Sequence, residues 1–156
     1  VFAAPLVVSS ASPEARFGLL VGGRGFSYPL ETLRISGIGF FGGYGFGDEV
    51  GATFGGGGAR VDYVVRSGRK VELPIGVGAS FAGGEQTVEV AGGGTESGSG
   101  LLFLPSVAFG VEANPTRWLK LGIELVGLYA VAPPEDFWAF GLAVGVSFGQ
   151  TRAKDG

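Results

Sequence analysis

With 156 residues and no cysteine, histidine or methionine, the chain is one domain's worth. It excludes disulfide scaffolds, metal sites built on His or Cys, and catalysis through a histidine base or cysteine nucleophile. A net charge of −3 with 46% hydrophobic and 16% charged residues excludes intrinsic disorder and leaves no basic footprint for nucleic acid.

Residues 1–13, VFAAPLVVSSASP, read as a short apolar N-terminal arm or the tail of a secretory signal. As an arm, this stretch is a candidate contact for an envelope protein partner, because exposed apolar chain favours a covered position. From residue 14 to 150 the pattern has a period of two. Phe17, Leu19 and Val21 oppose Arg16, Gly18 and Gly22; Val61, Tyr63 and Val65 oppose Arg60, Asp62 and Arg66. Val71, Leu73, Ile75 and Val77 oppose Glu72, Gly76 and Gly78; Leu119, Leu121, Ile123 and Leu125 oppose Lys120, Gly122 and Glu124. In the last segment Trp138, Phe140, Leu142, Val144, Val146 and Phe148 oppose Ala139, Gly141, Ala143 and Gly145. Thirty-two glycines without a collagen register disfavour helix by about 1 kcal/mol each against alanine, so these segments are strands.

Turn signals place the strands near 15–28, 32–46, 50–66, 70–82, 85–91, 100–113, 117–131 and 136–149. The 85–91 segment is short and flanked by glycine; if it is loop, PLVVSS at 5–10 is the strand that restores eight. Pro74 and Pro105 fall inside strands and predict bulges or local irregularity, or else strand boundaries shifted by a few residues. Residues 151–156 form a C-terminal tail.

Side-chain size decides which face is inside. One face is bulky and apolar, the other mostly Gly, Ala and Ser with scattered ions. A soluble barrel would carry the small face outward with too few charges for solubility. The inverse fits an eight-stranded antiparallel transmembrane β-barrel, whose narrow lumen holds only side chains. Nine ions share the inward parity and must pair: Arg16, Arg24, Arg34, Arg60 and Lys120 against Asp62, Glu72, Glu112 and Glu124. Aromatics near segment ends (Phe26, Tyr28, Phe54, Tyr63, Phe81, Phe103, Trp118, Tyr129, Phe137, Trp138 and Phe148) read as interfacial girdles. The basic turn Arg66, Arg69 and Lys70 is placed at the outer rim, where it would meet lipopolysaccharide phosphates; if PLVVSS supplies a strand in place of 85–91, the same turn faces the periplasm.

The block SVAFGVEANPTRWLKLGIELVGLYAVAPPEDFWAFGLAVGVSFG, with its tight NPTR turn, alternating Leu/Ile strand and final strand ending in Phe148, resembles the closing hairpins of small bacterial outer-membrane barrels of the OmpA-domain, OmpX and OmpW type. The resemblance implies an outer-membrane location, and an even strand count places both termini in the periplasm. The small, ion-paired interior and the absence of a catalytic constellation point to a non-enzymatic structural or anchoring role, alone or within a larger envelope assembly. Two other readings stay open. One is a narrow conduit or binding site for small apolar compounds, lined by Leu102, Leu104, Val126 and Leu128. The other is a soluble ligand-binding barrel. No cofactor is expected. Gly37-Ile38-Gly39-Phe40-Phe41-Gly42 matches a dinucleotide fingerprint in letters alone, because no helix can follow it.

Overall fold

The computed structural model describes residues 1–9, 15–45, 51–67, 70–90, 93–116, 118–131 and 136–149. The strands are β1 (Phe2–Ser9), β2 (Arg16–Leu30), β3 (Leu33–Tyr44), β4 (Gly51–Ser67), β5 (Val71–Val90), β6 (Gly94–Ala113), β7 (Leu119–Ala130) and β8 (Phe137–Gly149). They close in sequence order into an antiparallel barrel, with β1 between β2 and β8. Beyond the start of β1, the wall is completed by direct parallel contact of β2 and β8, Gly25 opposite Phe148. The start of β1 and the end of β8 therefore share one rim, called here the terminal rim; the opposite end is the loop rim.

Two expectations are corrected. The stretch read as an arm is a barrel strand from Phe2 to Ser9, paired on both sides. It is thus unavailable as a free partner contact. Ala4, Leu6 and Val8 face the core, where the lumen is apolar. Residues 85–91 are not a separate strand: β5 runs unbroken to Val90 and turns at Gly93, whose φ of 81° suits glycine. The strand count of eight is kept because the N-terminal strand replaces the fifth. The tail 151–156 lies outside the described residues.

At both prolines the expected irregularity is a local loss of pairing and not a bulge, because each lacks one ladder donor without shifting register. Val64 stays opposite Pro74, and Ala79 opposite Pro105. The one irregularity of the β2–β3 ladder lies between Ser27 and Leu30, next to Pro29. Where Pro105 lacks its N–H, the β6–β7 ladder ends at Ser106 opposite Leu128, with one further bridge between Phe103 and Val131.

Bulky apolar side chains face out on every strand. On β7, Leu121, Ile123 and Leu125 are 45–59% exposed. The core is the lumen itself. Near the loop rim it is apolar, with Leu6, Tyr44, Phe54, Leu102 and Phe137 buried together. Toward the terminal rim it becomes ionic.

Candidate functional site

Six strands send charged groups into one connected circuit. Arg24 of β2 donates to Glu112 at 2.6 Å, Glu124 at 2.8 Å and, weakly, to Ser147 at 3.4 Å. Arg34 of β3 donates through Nε to Asp62 at 2.8 Å and through Nη1 to Glu112. Arg60 of β4 donates through Nε to Asp62 and through Nη1 to Glu124 at 2.7 Å. Lys120 of β7 donates to Glu72 of β5 and, at 2.7 Å, to the Tyr28 hydroxyl, which itself donates to Glu72 at 2.6 Å. Four cations thus meet four anions. Charges removed from water need such pairing, since each alone would cost several kcal/mol.

Backbone choice makes room for this circuit. A Cβ on Gly76 would strike the Asp62 carboxylate and lie 2.7 Å from Arg60 Nε. One on Gly110 would lie 2.6 Å from the Glu124 Cγ. Glycine on the inward face is therefore a steric requirement of the neighbouring strand's ion.

Eight of the nine residues expected in the lumen are brought together. Arg16 keeps the inward parity but sits opposite Val8 near the loop rim, eight positions from Arg24, or about 26 Å along the strand. Two further members, Tyr28 and Phe26, belong to the aromatics expected in the girdles. Tyr28 bridges Lys120 and Glu72, and the Phe26 ring lies 5.3 Å from Lys120 Nζ and 5.7 Å from the Arg34 guanidinium. Both share the parity of Arg24, the signal that marks them as lumenal. Phe137, also expected outside, is 1% exposed and packs edge-on to Tyr44 at 5.2 Å; Phe54 is buried beside it.

The other aromatics point outward at two levels. Tyr63, Trp118 and Phe148 lie toward the terminal rim, with Trp118 stacked on Phe148 at 6.0 Å. Phe81, Phe103, Tyr129 and Trp138 lie toward the loop rim, with Tyr129 and Trp138 at 4.4 Å and Phe81 and Phe103 at 5.3 Å. The pairs Leu119–Phe148 and Tyr129–Trp138 are ten positions apart on β7. At about 3.3 Å per residue and a tilt near 45°, that separation is about 23 Å, close to the height of an apolar bilayer band.

The basic turn lies at the rim given by the alternative in which the N-terminal segment supplies a strand. It joins β4 to β5 at the terminal rim, because β1 adds a strand ahead of the first one predicted and reverses the strands expected between 15 and 82, while the loss of a separate 85–91 strand leaves the last three as expected. Lys70 is exposed; Arg69 and the side chain of Arg66 lie outside the described residues. The rim expected to meet lipopolysaccharide phosphates is the opposite one.

Between the aromatic plug and the ionic floor lies a cavity of about 100 Å³. Leu104, Val126, Leu128 and Phe40 form its walls, and Arg24 and Glu124 part of its floor. Leu102 is buried in the plug. Among the described residues no cluster of acidic side chains could hold a metal ion.

A closed barrel that is apolar outside and ionic within defines the class: an eight-stranded antiparallel barrel of transmembrane architecture, the only sheet form without edges to satisfy in lipid. No family model and no curated protein sequence matches the chain. Solved structures do. Neisserial surface protein A is 18% identical with a TM-score of 0.66, over 93% of this chain and 91% of that one. Ail, the attachment invasion locus protein of Yersinia pestis, is 16% identical with a TM-score of 0.53, over 93% of both chains. Ail in complex with the heparin analogue sucrose octasulfate gives 0.52 at 16% identity, over 93% of both chains. At these identities the likeness is one of fold.

Proposed function

We propose that this protein is a non-enzymatic barrel of a bacterial outer membrane, sealed against ion flow, that anchors and presents its loop rim at the cell surface. The observation that carries this reading is the neutral ionic circuit spanning the lumen, with Arg34 and Asp62 fully buried and Glu112 and Lys120 each 1% exposed. The apolar exterior between two aromatic levels supports the lipid location and disfavours a soluble barrel. Outer-membrane barrels keep short turns in the periplasm and long connections outside. Here the terminal rim carries the two-residue turn at 31–32, which supports both strand ends facing the periplasm. With β1 in the wall, residues 2–9 do not extend as a partner contact, so the reading favours a barrel that folds by itself over one held in an assembly through this segment.

In planar bilayers the protein should show no stepwise ion conductance at either polarity. Sustained steps from properly inserted protein would overturn the sealed-lumen reading.

The cavity supports a second reading, a binding site for a small apolar compound. Apolar cavities of about 150 Å³ take up benzene. Benzene added to nanodisc-inserted protein should then shift the Leu104 and Leu128 methyl signals saturably, and Ala108→Leu, which fills the space, should abolish the effect. Shifts that never saturate and are shared by lipid-facing Leu121 would count as partition into lipid and remove this reading.

A further inference from the structure

We infer that the outer part of β6, from Gly94 to Leu102, is a docking edge for an extended, basic segment of another protein, which it takes up as an added strand. The inference rests on the bilayer reading above, because that reading places the loop rim in water.

On one side, β6 pairs with β5 as far as Gly94 opposite Val90. On the other, the β7 ladder stops at Ser106, with the single bridge at Phe103 beyond it. Among the described residues no strand lies along Gly94–Leu102 on that side. An unpaired edge is excluded from hydrocarbon, so this stretch stands above the bilayer. The aromatic level at Phe81, Phe103, Tyr129 and Trp138 marks the same boundary independently.

The direction of the free groups follows from Phe103. Its N–H donates to the Val131 carbonyl at 3.2 Å, and its carbonyl accepts from Val131 N–H at 2.9 Å, so its hydrogen-bonding groups face β7. In an antiparallel strand every second residue repeats that orientation. Thr95, Ser97, Ser99 and Leu101 therefore present N–H and C=O to the open side, while Gly94, Glu96, Gly98, Gly100 and Leu102 face β5. That is room for about eight main-chain bonds to an added strand.

Natural edges are usually blunted by lysine, proline or a bulge. This one reads GTESGSGLL, with none of these. Its charge selects the partner. From Val71 to Thr116 the sequence holds no lysine or arginine, and Glu85, Glu89 and Glu96 are exposed on the projecting hairpin. A second copy of the chain would set acidic hairpin against acidic hairpin. A sulfated polyanion, the type of ligand seen with Ail, would meet only repulsion here. A strand alternating Lys or Arg with apolar residues satisfies both backbone and charge.

The probe is a capped, fluorescein-labelled heptapeptide of alternating lysine and valine, titrated by anisotropy against protein already inserted in nanodiscs. Insertion is scored first, so failure of the bilayer reading is separate from failure to bind. Saturable binding is expected, with no binding of the glutamate–valine counterpart. Ser99→Pro, which removes an open-side donor, should weaken binding about fivefold or more, while Ser99→Ala should not. The Glu89→Gln/Glu96→Gln double variant should weaken binding and flatten its salt dependence. If that charge variant weakens binding but Ser99→Pro does not, the peptide sits on the acidic surface without joining the sheet, and the proposal falls. Equal binding of the acidic peptide, or a dimeric particle mass by light scattering that Ser99→Pro returns to monomer, would overturn it as well.

Discussion

Arg34→Ala should destabilise the inserted barrel by about 3–5 kcal/mol in urea unfolding from lipid vesicles, the range for stripping one partner from a buried ion pair. Arg34 is fully buried and donates both to Asp62 and to Glu112. Without it the circuit holds three cations against four anions. Asp62 keeps Arg60, and Glu112 keeps Arg24 and, at 3.9 Å, Lys120. Those partners also serve Glu124 and Glu72, so the surplus negative charge has nowhere to go. Glu112→Met alone should cost a similar amount with the opposite sign of surplus. The double variant Arg34→Met/Glu112→Met restores three against three, and apolar replacement of a buried pair is often close to neutral. It should therefore be more stable than either single variant. If each single variant costs under about 1 kcal/mol, the range of exposed pairs, the lumen is wet enough to screen its ions and the sealed reading loses its basis.

The features that show in the sequence are those with two chemically different faces. From Leu119 to Leu125 the alternation of bulky apolar residues with Lys120, Gly122 and Glu124 fixes both strand and sidedness, and the structure follows it. β1 is hidden for the opposite reason. Its inward residues, Ala4, Leu6 and Val8, meet the apolar half of the lumen, and its outward residues, Ala3, Pro5 and Val7, meet lipid, so VFAAPLVVS shows no contrast. Gly83-Gly84 reads as a turn from composition, yet Gly84 is a strand glycine whose added Cβ would sit 2.8 Å from that of Phe54. Close packing and turning demand the same residue, and only the neighbouring strand tells them apart. For the aromatics, nearness to a strand end is a weaker guide than parity. Tyr28 and Phe26 follow Arg24 at steps of two and go inward with it; Phe137 precedes Trp138, so one of the two must enter the lumen.

Ile123→Arg should lower stability by about 2–4 kcal/mol, whereas Trp118→Arg should cost about 0–1 kcal/mol from charge placement, because the penalty for a lipid-facing arginine depends on depth. Ile123 is 53% exposed and lies close to midway on β7 between Leu119 and Tyr129, the positions that carry the two aromatic levels. Its neighbours Val111 on β6 and Val144 on β8 are also outward and apolar, so an arginine there meets no partner ion. In an aqueous barrel the same substitution would add charge to an exposed surface and stay within about 0.5 kcal/mol. Depth dependence thus discriminates between solvents for this face. A flat profile across Trp118, Leu121, Ile123 and Leu125 would mean water and would remove the membrane location. A profile peaked at Ile123 would mean hydrocarbon and would fix the bilayer centre at that height. Leu102 and Ile123 would then lie on opposite sides of the loop-side boundary. The exposed edge of β6 and the band that excludes such edges would be parts of one strand pair, divided where Pro105 withholds its N–H from β7.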